Sequence, residues 1–121
     1  MKLKSYKELI VWQKAMELAR VIYRLTSFFP KSELYGITSQ MRNAAVSIPS
    51  NIAEGYGRKH LKEFSQHLSI SYGSALELDT QLILSKQLNF APEIEFHKPE
   101  VLLIEVSKML ISLIMKFNRT N

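Results

Sequence analysis

The stretch Leu34-Tyr-Gly-Ile-Thr-Ser-Gln-Met-Arg-Asn-Ala-Ala-Val-Ser-Ile-Pro-Ser-Asn-Ile-Ala-Glu-Gly-Tyr-Gly57 decides the fold. Its apolar residues Leu34, Ile37, Met41, Ala44, Ala45, Ile48 and Ile52 recur at steps that keep them on one face of an α-helix. Gly55 and Gly57 close the run, where glycine can take the left-handed conformation that ends a helix. Pro49 stands inside it. An interior proline removes one hydrogen bond and clashes with the preceding turn, at a cost of about 3 kcal/mol. The apolar row nevertheless keeps its phase from Ile48 to Ile52, so the stretch reads as one continuous helix kinked near Pro49.

The same period extends to both sides. Upstream, Leu9, Trp12, Met16, Ala19 and Tyr23 form one row and Val11, Ala15, Leu18, Ile22 and Leu25 a second, predicting a helix over residues 7–27 that ends before Phe29-Pro30. Together the rows cover roughly 200° of the helix, wider than the stripe of about 100° that a single core face needs. Downstream, Leu61, Phe64, Leu68, Tyr72, Ala75, Leu78 and Leu82 mark a third helix, with Leu76 and Ile83 beside the row. Gly73-Ser-Ala75 in its middle weakens it by about 1 kcal/mol relative to alanine, which predicts a neighbouring helix in close approach. The fourth opens near Pro92-Glu93 and carries twelve apolar residues among the seventeen from Val101 to Phe117, with Pro99 as a kink or a late start.

Connections of about five residues make neighbours antiparallel. The expected architecture is all-α: an up-down-up-down four-helix bundle forming one domain over residues 1–121. A chain of this length can bury roughly two-thirds of its unfolded surface in a single core. Helices one and four are apolar on more than one face, which predicts a homo-oligomer.

Composition narrows the function. The absence of cysteine removes disulfides and thiolate chemistry and fits a reducing compartment, so a cytoplasmic location is expected. The basic start Met1-Lys-Leu-Lys-Ser-Tyr-Lys7 runs into Glu8 without an apolar signal core, and the apolar fourth segment is broken by Glu105, Lys108 and Lys116, which argues against a membrane span. The net charge is +5, and residues 1–60 hold ten Lys/Arg against four Asp/Glu while residues 61–121 hold six against seven. That asymmetry suits an anionic partner or a merely soluble basic surface. Candidate nucleic-acid contacts are Lys14, Arg20, Arg24, Arg42, Arg58 and Lys59, with Lys2, Lys4 and Lys7 in the tail; the opposing possibility is that Glu17 pairs with Arg20 or Arg24.

Gln40, Ser47, Asn51, Glu54 and Arg58 follow one another by seven, four, three and four residues, a polar row beside the apolar face. Such a row can hold a phosphate backbone or unstacked bases, or it can be an interhelical hydrogen-bond network that fixes register. Glu77 is expected to pair with Arg42 across the second and third helices. His60, Glu63 and His67 approach one helical face, but the order lacks the Glu-x-x-His pairs of di-iron bundles and reads as the start of a helix. No phosphate loop or nucleophile triad is visible, so no catalytic residue, metal or cofactor is assigned.

The run from Tyr35 to Gly55, together with Leu9-Ile-Val-Trp-Gln-Lys-Ala15 and Gly73-Ser-Ala-Leu-Glu-Leu-Asp-Thr80, resembles the 23S ribosomal RNA intervening-sequence protein family across nearly the whole chain. The resemblance implies a four-helix bundle, commonly a ring-shaped homopentamer, encoded in some bacteria within insertions of the large ribosomal RNA gene. It marks Arg42, Ser47, Pro49, Asn51, Glu54, Gly55 and Arg58, with Glu77 and Thr80, as the characteristic positions; Asn43 stands where the family often has a second arginine. The expected function is a non-enzymatic homo-oligomeric module that binds RNA or DNA. The alternative is a scaffold that docks a partner protein such as a nucleic-acid enzyme.

Overall fold

The computed structural model describes residues 4–119, and among them four α-helices form. They are α1 (Ile10–Thr26), α2 (Ser39–Tyr56), α3 (Leu61–Gln87) and α4 (His97–Arg119). Helix α1 packs on α2 and α4, and α3 packs on the same two, so the helices stand at the corners of a square with α1 diagonal to α3. This is the expected four-helix bundle. Leu18, Ile22, Met41, Ile48, Ile52, Leu68, Leu78, Val106 and Leu110 are fully buried at its centre.

Helix ends depart from the periodic reading because short-range chemistry sets them. Ser5 accepts a hydrogen bond from the Lys7 N–H and caps a 3₁₀ turn over Tyr6–Glu8; Leu9 is extended, so α1 begins at Ile10, three residues later than the apolar rows suggest. The second helix is preceded by a π-type turn over Leu34–Thr38, in which Gly36 has non-helical φ −110° and ψ −119°. From Ser39 the helix runs continuously through Pro49, as its phase predicts. In the fourth helix a 3₁₀ turn, Glu93–Phe96, precedes α4, and Pro99 is a late-start proline: it lies in the first turn, where a missing N–H breaks no helical bond.

Two expectations about glycine are overturned. Gly57 ends α2 in right-handed geometry (φ −71°), and among the described residues no glycine has positive φ. The left-handed cap belongs to Asn89 (φ 57°) after α3, where Phe90 N–H bonds the Ser85 carbonyl and Asn89 N–H the Lys86 carbonyl. That pair of bonds closes a Schellman motif. The close helix approach is at Gly55, whose hypothetical Cβ would stand 2.6 Å from His67 Cβ; a Cβ on Gly73 would meet nothing within 4 Å. Gly73 therefore has no neighbouring helix against it in the single chain.

Candidate nucleic-acid interface

The cations nominated by sequence are scattered by the fold and partly neutralised. Lys14 pairs with Glu105 of α4 at 3.4 Å and Arg58 with Glu54 at 3.0 Å. Arg24 donates from Nε to Glu95 at 3.0 Å, and that hydrogen bond, with the charge of Glu95, raises its pKa above the usual arginine value. Glu17, the expected local partner of Arg20 or Arg24, forms no ion pair among the described residues; the carboxylate that Arg24 finds comes from a turn distant in sequence. Arg20 and Lys59 are exposed, and neither has a carboxylate within ion-pair distance among the described residues. Lys4 and Lys7 are exposed in the tail, and Lys2 lies outside the described residues.

Arg42 is a tether rather than half of a salt bridge. Its Nε donates to Thr26 Oγ1 at 2.8 Å, and its guanidinium lies 4.7 Å from the centre of the Tyr23 ring. Thr26 Oγ1 in turn donates to the Ile22 carbonyl at 2.8 Å. The expected Arg42–Glu77 pair is thus absent: α1 supplies Arg42 with its partners, while Glu77 is exposed on α3. Arg24 and Arg42 stand near the α1–α2 connection, whereas Arg58 and Lys59 stand at the far end of α2. The fourteen residues of α2 from Arg42 to its end at Tyr56, on the order of 21 Å, separate Arg42 from the turn that carries Arg58. One chain does not gather these side chains into one patch.

The polar row resolves into a seam between α2 and α3. Ser74 Oγ donates to Ser47 Oγ at 2.9 Å, and Asn51 Nδ2 donates to the Ser47 carbonyl and hydroxyl at 2.9 and 3.1 Å. His67 Nδ1 reaches Asn51 Oδ1 at 3.3 Å, its Nε2 lies 3.8 Å from Glu54, and Ser71 Oγ donates to the Ile48 carbonyl. Ser47 and Asn51 thus use their polar atoms to lock α2 on α3, while the exposed Glu54 accepts its hydrogen bond from Arg58. Gln40, at the start of the row, is exposed and outside this network. With His67 turned toward Asn51 and Glu54, the described residues hold no group of three His, Asp or Glu side chains placed to share a metal ion.

Two apolar surfaces complete the picture. Between α1 and α2 a cleft of about 580 Å³ is walled by Tyr6, Trp12, Met16, Tyr23, Val46 and Pro49, with Arg20 at its lip. On the opposite side of the square, α3 and α4 expose Leu76 and Ile83, seven residues apart, and Ile104 and Ile111, again seven apart. Ile83 lies five helical turns from Ser65, which bonds Asn118 of α4, and Ile111 lies seven residues before Asn118. These four side chains therefore flank the α3–α4 seam on its outer side. The second apolar face of helices one and four was legible in the sequence; that of α3 was missed, although the heptad step from Leu76 to Ile83 marks it. Among the described residues, no helix is long and apolar enough to cross a membrane.

Comparison with known proteins agrees with this architecture. A protein of unknown function from the S23 ribosomal protein family of Bacteroides thetaiotaomicron superposes with a TM-score of 0.80 at 24% identity, covering 87% of this chain and 98% of that one. None of the curated proteins matches. The profile of the 23S rRNA-intervening sequence protein matches residues 7–112, through all of α1, α2 and α3 and into α4, and the chain belongs to that family.

Proposed function

We propose that this chain is a non-enzymatic binding module that assembles from copies of itself and presents its basic residues to RNA. The observation that carries the proposal is the pair of unlike apolar surfaces on opposite sides of the bundle: the α1–α2 cleft and the outer α3–α4 seam. A ridge on one side and a groove on the other suit head-to-tail association, which closes into a ring when the rotation between copies allows it. A ring repeats each exposed cation around its axis, so Arg20 and Lys59, sparse in one chain, add to a field that attracts a polyanion. The basic excess of residues 1–60 supports the same partner.

The test has two readings. Replacing Ile104 and Ile111 by Glu is expected to convert a multi-chain species into single chains in light scattering, with the helical circular dichroism retained. Fluorescence anisotropy of a labelled single-stranded RNA is expected to report binding by the assembled protein that falls steeply between low and near-physiological salt. It should weaken further when Arg20 and Lys59 become Ala. Absence of RNA binding at both salts overturns the RNA half of the proposal. One observation favours a second reading, a scaffold for a protein partner: Lys14, Arg24 and Arg58 are already matched to carboxylates, which halves the set of six nominated cations.

A further inference from the structure

The cations nominated from sequence are scattered, but a different set converges at one end of the bundle. Antiparallel packing brings the start of α1, the α2–α3 connection and the end of α4 together there. Buried Phe64 is the plug beneath it: its ring meets Tyr56 of α2 at 5.8 Å and Phe117 of α4 at 5.2 Å between centres. Above this floor stand Lys4 and Lys7 ahead of α1, Arg58 and Lys59 in the connection, Lys62 in the first turn of α3 and Lys116 in the last turn of α4, all exposed. Of these, Arg58 alone has a carboxylate partner among the described residues, Glu54. The opposite end is balanced. Arg24 pairs with Glu95 and Lys86 with Glu100, Arg42 is held by Thr26 and Tyr23, and Lys31 and Lys98 stand against Glu33 and Glu93.

Helix dipoles do not account for the basic end. Acids stabilise a helix N-terminus and cations a C-terminus. Arg58 and Lys116 follow that rule at the ends of α2 and α4. Lys62 opposes it at the start of α3, and α1 opens with no acid in its first turn and with Lys4 and Lys7 beside Glu8 ahead of it. Folding gains nothing from cations at these two helix starts. We propose that this end of the bundle takes the phosphate backbone of RNA, through charge and without reading bases. Neighbouring helix axes stand roughly 10 Å apart, about one Debye length at 0.1 M salt. The fields of cations on adjacent corners therefore add across the whole end, which suits a string of phosphates. Base recognition needs open ring faces, and here Phe64 and Phe117 are buried under the charged layer. Copies joined side by side through the α1–α2 cleft and the α3–α4 seam leave the helix ends open, so a ring with its axis along the helices repeats this face around one rim. The inference rests on the RNA reading above and names the face that makes the contact.

The experiment compares two variants of the full-length protein that lose the same charge at opposite ends: Lys59→Gln with Lys62→Gln, and Lys31→Gln with Lys98→Gln. All four lysines are exposed, so both variants are expected to melt with the parent. Affinity for a labelled single-stranded RNA is measured by fluorescence anisotropy across a salt series. Removal of two phosphate contacts is expected to lower the slope of log affinity against log salt by about 1.4 in the first variant. At near-physiological salt that variant is expected to bind about tenfold more weakly than the parent, and the second less than about threefold more weakly. The loss is expected to be the same on two RNAs of unrelated sequence. Equal losses in the two variants overturn the basic end and leave the RNA reading standing. A loss that depends on the RNA sequence overturns contact through the backbone alone. A parent that binds no RNA but sediments with phosphatidylserine vesicles, with the first variant left in the supernatant, overturns RNA as the occupant and gives the end to a lipid surface.

Discussion

Along the flank of α3 that meets α2, Ser71, Ser74 and His67 each reach a named partner, and Gly55 lets the two backbones close until no side chain fits between them. Along its outward flank the same helix presents Leu76 and Ile83 to solvent and leaves the space above Gly73 empty. The inner flank is nearly complete within one chain: its apolar groups are covered and its polar ones bonded, except the Oε1 of Gln81, buried seven residues beyond Ser74 without a hydrogen-bond partner among the described residues. The outer flank is chemically similar to an interior that lacks its other half. Two sets of rules on one helix separate what the fold needs from what an assembly needs.

The inner flank is the easier to break, and Gly55 is its most sensitive point. Gly55→Val would place side-chain carbon where His67 Cβ and Phe64 Cδ1 already stand, 2.6 and 3.0 Å from the first added atom. Relief requires α2 and α3 to move apart, with loss of the Ser47–Ser74 and Asn51–His67 contacts. Stability is expected to drop by about 2 kcal/mol or more in urea titration. A midpoint unchanged from the parent would mean that the helices are not held this closely.

Asn51→Ala probes the same seam more gently. The alanine fits the helix, but His67 Nδ1 and the Ser47 hydroxyl lose a partner in a half-buried place. An expected cost of about 1–2 kcal/mol follows from leaving such groups short of a bond. Asn51→Asp restores an acceptor for His67 and is expected to recover part of the loss, which separates the hydrogen bond from simple packing.

How much of this contrast the sequence discloses depends on the range of the interaction. Apolar period is a local property, so Ile48, Ile52, Leu68 and Leu78 were assigned to the core, and α2 was read straight through Pro49. Gly55 and Gly73 differ in helical phase: Gly55 follows Ile52 by three residues on the apolar face of α2, whereas Gly73 stands opposite the Phe64, Leu68, Ala75 and Leu82 row of α3. Reading Gly55 as a cap and Gly73 as a close approach set that phase aside, and the apolar period already told the buried glycine from the open one. Arg24 and Arg42 show the limit of local reading: their partners, Glu95 and Thr26 with Tyr23, lie on other elements, and the expected carboxylates Glu17 and Glu77 are not among them. The polar row was placed on one side of α2 from spacing alone; its service as a seam needed Ser74 and His67 of α3 to be brought against it.

Gly73 gives the smallest effect and the sharpest sign. In a chain kept single by Ile104→Glu and Ile111→Glu, Gly73→Ala adds a methyl group into open space and relieves the helix of a glycine, so stability is expected to rise by about 1 kcal/mol. A loss in that background would contradict the empty space on this flank. In the parent chain the same substitution reports on the assembly, because a neighbouring copy seated near Leu76 and Ile83 would have to accommodate the methyl group. If the gain in the parent matches that in the separated chain, the copies meet away from Gly73. If it shrinks or reverses, atoms of a second copy lie against it, and a glycine with no function in one chain has its reason in the contact between two.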